Sequence, residues 1–224
     1  MGLFDFLKRK TPNKAVFCGL DSSGKSTFIS FLKTGTFISH TPTMGKKMEE
    51  FDINGTRITL FDMGGQSDFR EMWLGEINKA KCVVFVVDKA NPSRFEEAKQ
   101  ELDKLLPTIE KHNINLLILA NKHDKAESVS LSKLIKALNL FAITNFEIIE
   151  VSAKTGYSMA EAITKFYGML INEPISKVVL AKAVSLYDVN GTPLIVKTSD
   201  DSARNSIKEE FDNVIKTIGK VDVN

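Results

Sequence analysis

The stretch Gly19–Ser26, GLDSSGKS, lies between an apolar run and a segment with helical periodicity. It fits the pattern GxxxxGK[ST] and stands in the context that this pattern requires, directly after a predicted strand and directly before a predicted helix. Glycines let the backbone curl until its N–H groups point inward, and the start of the helix adds a partial positive charge. The stretch therefore predicts a phosphate-binding loop in preference to an ordinary strand-to-helix turn.

Two side chains of this loop suit a nucleoside triphosphate. We expect Lys25 to reach the β- and γ-phosphates and the Ser26 hydroxyl to bind Mg²⁺. The loop alone does not choose between ATP and GTP. Its predicted nucleotide contacts are Asp21, Ser22, Ser23, Gly24, Lys25, Ser26 and Thr27.

Apolar runs alternate with helix-like stretches along the chain. The runs are short and rich in Val, Ile and Leu, which is typical of strands buried on both faces of a parallel sheet. Residues 48–62 instead predict a hairpin that turns at Asn54-Gly55. This order predicts an α/β doubly wound P-loop domain, a mostly parallel six-stranded sheet with helices on both faces. The predicted strands span 14–19, 82–88, 116–121 and 146–153, and the predicted helices span about 25–33, 92–110, 130–139 and 158–171.

The chain divides into three predicted parts: residues 1–12, the domain at 13–173, and an extension at 174–224. The first part begins MGLFDFLKRK, which places apolar and basic side chains on opposite sides of a helix. A fraying terminus, a strip packed on the domain and an anchor for anionic lipid all remain open.

The extension predicts two strands that turn at Asn190-Gly191, followed by a helix over about 202–218. A two-stranded sheet is marginal by itself, so this segment must pack on something to be stable. Docking on the domain and self-association are equally favoured, and an inert appendage is the third alternative.

Composition excludes several classes of protein. A chain of 224 residues that is 43% hydrophobic and 26% charged is typical of a folded globular protein. A net charge of +2 is too small to indicate nucleic acid as the main ligand. No apolar run nears the ~20 residues of a membrane span, and nothing resembles a secretory signal. Cys18 and Cys82 lie in apolar runs, which indicates buried reduced thiols and a cytoplasmic protein, with peripheral membrane contact left open.

Three further stretches favour guanine, and each lies near the carboxyl end of a predicted strand, where open α/β sheets bind ligands. Asp62 can hold Mg²⁺ directly or through water. Asp124, in Asn121-Lys122-His123-Asp124, can accept two hydrogen bonds from guanine N1–H and N2–H₂, a donor pair that adenine lacks. A backbone N–H near Ala153, in Ser152-Ala153-Lys154, could donate to guanine O6.

With these residues in view, the chain resembles the small GTPases of the Ras superfamily, and the Arf/Arl branch fits best. Gly19-Leu20-Asp21 and Asp62-Met63-Gly64-Gly65-Gln66 are Arf-like, and His40-Thr41-Pro42-Thr43-Met44-Gly45 is similar to the Arf switch I segment. The resemblance covers roughly residues 14–172. It implies a GTP-hydrolysing molecular switch in membrane-associated trafficking or signalling, with GTP/GDP and Mg²⁺ as cofactors. The implied partners are an exchange factor, a GTPase-activating protein and an effector.

The resemblance also implies roles for single residues. Thr43 would bind Mg²⁺ through its hydroxyl and the γ-phosphate through its backbone. Gly65 would donate its N–H to the γ-phosphate, and Gln66 would orient the attacking water. The implied catalytic residues are Gln66, Lys25 and Gly65, the Mg²⁺ ligands Ser26, Thr43 and Asp62, and the remaining nucleotide contacts Asn121, Lys122, Asp124, Ser152, Ala153 and Lys154.

Two details refine the expected mechanism, and one surface departs from the Arf pattern. Asp21 lies at the loop position nearest the γ-phosphate among side chains that vary, and a second negative group there should not help the transition state. Residues 34–47 contain no arginine, so we expect slow turnover until an activating protein supplies one. Lys46 and Glu76 stand where Arf proteins keep aromatics, so the effector must differ.

The rival hypothesis is a non-cycling GTP-binding scaffold, similar to the β-subunit of the signal recognition particle receptor. The extension and Asp21 favour it mildly. Gln66 favours the switch, because a scaffold has no need to place water. An ATP-specific P-loop enzyme is a distant third hypothesis.

Overall fold

The structure is a computed structural model that describes residues 13–35, 37–53, 56–171, 183–187 and 193–198. Its main sheet has six strands in the order β2-β3-β1-β4-β5-β6. Strand β2 is antiparallel to β3, and the other neighbours are parallel. The strands are β1 Asn13–Cys18, β2 Lys46–Ile53, β3 Thr56–Met63, β4 Cys82–Asp88, β5 Asn115–Asn121 and β6 Glu147–Glu150. The predicted mostly parallel six-stranded sheet is confirmed.

Helices cover both faces of this sheet. They are α1 Lys25–Thr34, α2 Ser67–Ile77, α3 Phe95–Lys111, α4 Leu131–Ala137 and α5 Met159–Ile171, with 3-10 turns at Pro92–Arg94 and Leu140–Ala142. Helices α2, α3 and α4 pack on one face, and α1 and α5 pack on the other. In β4, Val83 and Phe85 point to the first face while Cys82 and Val84 point to the second. This double burial explains why the strands are apolar without alternation.

The pattern of the sequence does not predict helix α2. Only Trp73 and Ile77 are buried along it, so its apolar periodicity is weak. The indole of Trp73 donates to the carbonyl of Gly64 at 3.0 Å, which ties the helix to the preceding loop. A tertiary contact, rather than an amphipathic stripe, therefore anchors this helix.

Two predicted boundaries move by three residues in the structure, and the others move by less. Strand β6 ends at Glu150, three residues before the predicted end, because the chain turns into a loop after Val151. Residues 92–94 form a 3-10 turn, and α3 begins only at Phe95. Both cysteines are free and fully buried, as predicted.

Two further strands, β7 Ala183–Tyr187 and β8 Pro193–Thr198, pair antiparallel as a separate two-stranded sheet. The predicted strand pair of the extension is thus present. The predicted N-terminal helix, both Asn-Gly turns and the predicted helix at about 202–218 lie outside the described residues. In the described part of the chain, no helix is both long and apolar enough to cross a bilayer.

Candidate functional site

The predicted site residues meet around a cavity of about 320 Å³ at the carboxyl edge of the sheet. The parallel strands all end there, so loops that are distant in sequence become neighbours. The predicted residues that line it are Asp21, Ser22, Gly24, Lys25, Ser26, Thr27, Thr43, Gly65, Gln66, Asn121, Lys122, Asp124, Ala153 and Lys154. The predicted residues Ser23, Asp62 and Ser152 are buried and contact lining residues instead. Six lining residues were not predicted: Phe37, Ser39, His40, Thr41, Pro42 and Lys125.

The loop at the start of α1 needs glycine at Gly24. Its φ is 100°, and a Cβ there would lie 2.1 Å from the Asn121 side-chain nitrogen. The Asn121 amide donates to the Ser23 carbonyl at 2.8 Å and accepts from the Ala153 N–H at 3.1 Å. Asn121 therefore braces the phosphate-binding loop against the loop at Ala153.

Lys25 is almost completely buried beneath this loop. Its Nζ donates to the carbonyls of Gly19 and Leu20, each at 2.8 Å. Burial lowers the pKa of Lys25 to about 8, because the low-dielectric surroundings disfavour the ammonium. Phosphate oxygens in the cavity would favour the charged form again, so the site is built for an anionic ligand.

A cluster of oxygen atoms lies beside the loop. The Ser26 hydroxyl donates to Asp62 Oδ2 at 2.5 Å, and the Thr43 hydroxyl donates to the same atom at 3.1 Å. Asp62 Oδ1 is buried without a hydrogen-bond partner. Hydroxyl and carboxylate oxygens are ligands that Mg²⁺ prefers, and it completes its shell with water and phosphate. These residues therefore fit Mg²⁺.

The Asp124 carboxylate is oriented from behind. Ser152 Oγ donates to Asp124 Oδ1 at 2.6 Å and accepts from the Thr155 N–H at 3.1 Å. A carboxylate has about four acceptor positions, so two hydrogen bonds from a base can still be accepted. Ser152 thus acts on the site through Asp124.

Lys122 is held in a similar way by a residue that the motifs do not include. Its Nζ contacts Asp88 Oδ2 at 2.6 Å. Asp88 is the last residue of β4, so its position at a carboxyl strand end was an available signal.

The segment Asp62–Gln66 is pressed against the phosphate-binding loop. The Asp21 N–H donates to the Gly65 carbonyl at 3.1 Å, and a Cβ on Gly65 would lie 2.2 Å from that nitrogen. Gln66 comes next and caps helix α2 while lining the cavity. The γ-phosphate contact expected from Gly65 and the water contact expected from Gln66 would thus fall at one end of the cavity.

The sequence model of the ADP-ribosylation factor family matches residues 2–170. The chain belongs to the ADP-ribosylation factor, or Arf, family. ADP-ribosylation factor-like protein 6 of Danio rerio is 36% identical over 176 residues, which are 73% of this chain and 94% of that protein. ADP-ribosylation factor K of Dictyostelium discoideum is 33% identical over 141 residues, 63% of this chain and 75% of that protein.

Solved structures agree with this assignment. The Arl6 BBS3 small GTPase from Trypanosoma brucei, with the bound nucleotide analogue GppNp, has 28% identity and a TM-score of 0.63. The match covers 75% of this chain and 100% of the Trypanosoma brucei chain. The mammalian signal recognition particle receptor matches at 24% identity and a TM-score of 0.62, over 70% of this chain and 99% of that one. That second likeness shows the fold alone.

As an Arf-family member, this chain is a small GTPase that binds GTP and GDP with Mg²⁺ and hydrolyses GTP. The predicted family, fold, activity and cofactors are confirmed. The proteins of this family work with regulators and effectors, which confirms the predicted partners in general terms.

The surface where Arf proteins keep aromatics is an ion cluster here. Glu76 contacts Lys14 Nζ and Lys46 Nζ, each at 2.7 Å. Both ammonium groups also lie over the Phe61 ring, at 4.4 and 5.3 Å from its centroid. This surface therefore carries charged groups in place of aromatic rings. That the effector differs from those of other Arf proteins stays a prediction.

Proposed function

We propose that this Arf-family GTPase works as a molecular switch in which different site residues bind the phosphates, Mg²⁺ and the base of the nucleotide. The observation that carries the proposal is the meeting of the five motif segments around one cavity. Lys25 would neutralise the β- and γ-phosphates. Ser26, Thr43 and Asp62 would hold Mg²⁺, which when bound neutralises charge on the phosphate oxygens.

The hydrolytic step falls to Gly65 and Gln66 in this proposal. The Gly65 N–H would donate to the γ-phosphate, and the Gln66 amide would orient a water in line with it. When the γ-phosphate leaves, the segments that contain Thr43 and Gly65 would lose a shared ligand and rearrange.

The opposite end of the cavity selects the base. Asp124 would accept from guanine N1–H and N2–H₂, and Lys122 would lie along the base. The Ala153 N–H already donates to Asn121 at 3.1 Å, so O6 recognition falls to the neighbouring main chain and Lys154. The side chain of Ser152 supports this end without reaching the nucleotide.

Single-turnover hydrolysis of bound GTP by wild type and by Gln66→Leu tests the switch. We expect the variant to be slower by about a hundredfold, because placing the water contributes roughly that much. GDP affinity, measured in parallel, should be unchanged. Equal hydrolysis rates would contradict the switch and favour the non-cycling scaffold.

The flanking segments complete the proposal. Residues 1–12 would form a peripheral membrane contact and residues 174–224 a separate extension that packs on the domain or self-associates. Flotation with anionic liposomes, with GDP or a GTP analogue and with or without residues 1–10, tests the first. Sedimentation of the full chain across a concentration series tests self-association. Nucleotide-independent flotation that survives removal of residues 1–10 would contradict the membrane contact.

A further inference from the structure

Asp21 belongs to a closed ring of contacts that local sequence does not reveal. Arg94 Nη2 donates to Asp21 Oδ1 at 2.8 Å, and Arg94 Nε donates to Glu97 Oε2 at 2.8 Å. Glu97 Oε1 accepts from Arg70 Nη2 at 2.7 Å, and Arg70 Nε donates to the Gly65 carbonyl at 2.9 Å. The Asp21 N–H donates to the same carbonyl at 3.1 Å and closes the ring.

The ring stands at the phosphate end of the site. Asp21 lines the nucleotide cavity and also a smaller cavity of about 40 Å³, which Arg94 lines as well. The backbones of Asp21 and Gly65 touch, and Gly65 is the residue proposed to contact the γ-phosphate. The Asp21 carboxylate therefore binds Arg94 close to the proposed position of that phosphate.

Of the two arginines, Arg94 is the effective partner of Asp21. Both arginines pair with Glu97, but the closest Arg70 nitrogen is 3.9 Å from Asp21 Oδ1, against 2.8 Å for Arg94. Arg94 forms the short contact instead, and its hydrogen bond lowers the pKa of the Asp21 carboxyl. Asp21 is therefore ionised at neutral pH, with Arg94 as its counter-ion.

The Asp21–Arg94 ion pair contributes little to the stability of the fold. Its side chains are 31% and 34% exposed, and ion pairs of that exposure contribute little to folding. An ionised carboxylate beside a multiply charged triphosphate chain would, in contrast, act directly on the ligand, since like charges repel over several ångströms.

We propose that Arg94 is a specificity-determining residue: by pairing with Asp21 it reduces the repulsion that this carboxylate would exert on the γ-phosphate, and so raises the affinity for GTP relative to GDP. The inference rests on the proposed position of the γ-phosphate beside Gly65. GDP ends at the β-phosphate, farther from Asp21, so the repulsion distinguishes the two nucleotides.

The test measures the dissociation constants of GDP and of a non-hydrolysable GTP analogue, with Mg²⁺, for the full chain. We expect Arg94→Gln to lower the ratio of GTP-analogue affinity to GDP affinity by about fivefold to tenfold, allowing for solvent screening. Asp21→Asn should keep or raise the ratio, and the double variant Asp21→Asn/Arg94→Gln should return to the wild-type value. Arg94→Lys keeps the charge but loses the fork that also binds Glu97, so it should recover only part of the ratio.

Lys99→Gln is the matched control, because Lys99 is a cation on helix α3, which follows Arg94 directly, and it pairs with Asp103. It should leave the ratio unchanged. If Asp21→Asn lowers the ratio as Arg94→Gln does, or the double variant fails to recover, the ring is structural and the inference is overturned. A wild type that binds neither nucleotide would overturn the proposed function as well, whereas normal wild-type binding with an unaltered ratio in Arg94→Gln overturns this inference alone.

Discussion

The phosphate end and the base end of the cavity are built on different principles. At the phosphate end, Ser26 and Thr43 hydrogen-bond to one oxygen of Asp62, and the other oxygen is buried without such a partner. At the base end, Asn121 is satisfied on both sides by main-chain groups, and the Asp124 carboxylate is held by a buried hydroxyl. The first end depends on charge and on a cation. The second depends on directional hydrogen bonds that the protein has already arranged.

This contrast separates affinity from discrimination. Charge at the phosphate end acts on any nucleoside diphosphate, whereas the base end acts only on guanine. Variants at the phosphate end should therefore change affinity for all nucleoside diphosphates, and variants at the base end should change only the selectivity for guanine. A single variant that changed both would contradict this separation.

The largest effect is expected for Lys25→Met. The variant loses charge-assisted hydrogen bonds to two phosphates, so GDP and GTP affinity should fall by about a thousandfold. Equilibrium binding of fluorescent GDP measures this, with Lys33→Met as the control, since Lys33 lies on the same helix and pairs with Glu49. A loss for guanine nucleotides that spares other diphosphates would contradict a role confined to phosphate.

Asp124→Asn should act only on the base. It replaces an anionic acceptor by a neutral amide, so GDP affinity should fall about a hundredfold while weak ADP binding is unchanged. Competition with unlabelled GDP and ADP measures both constants. Glu127→Gln, an exposed carboxylate in the same loop, is the control. If ADP affinity fell in parallel, Asp124 would be a structural residue instead.

Removal of Mg²⁺ tests whether the phosphate end depends on a bound cation. Chelation should speed GDP release by about tenfold or more, because the cation neutralises charge on the bound phosphates. Asp62→Asn in the presence of Mg²⁺ should release GDP about as fast as the chelated wild type, and chelation should add little to it. A variant that stays fully sensitive to chelation would exclude Asp62 from the Mg²⁺ site.

The smallest effect is expected for Ser152→Ala. The variant removes the hydrogen bond that orients Asp124, so GDP affinity should fall about threefold to tenfold with no change for ADP. Thermal unfolding, recorded in parallel, should show a loss of about 1 kcal/mol, because the Thr155 N–H loses its acceptor. An effect as large as that of Asp124→Asn would mean that Ser152 contacts the base itself.

Much of the architecture was predictable because its signals are local. A run such as CVVFVVD at 82–88 must be buried on both faces, and the loop Gly19–Ser26 carries its strand, turn and helix in adjacent residues. Helix α2 was not predicted, because its anchor is Trp73, which bonds to the loop carbonyl of Gly64 instead of extending an apolar stripe. The supporting role of Ser152 was also hidden, since it acts on a side chain from another part of the chain. That of Asp88 was signalled only by its place at the carboxyl end of β4.

The sequence by itself determined the Arf-type order of motifs, the choice of guanine, and the oxygen ligands suited to Mg²⁺. These depend on residue types at short spacings, which keep their meaning in any compact fold. Only the tertiary structure decided which charges meet. Arg94 stands 73 residues from Asp21 in the chain, and the parallel sheet brings the two within 2.8 Å. The energy of an ion pair depends on distance in space, and no spacing in the sequence measures that distance.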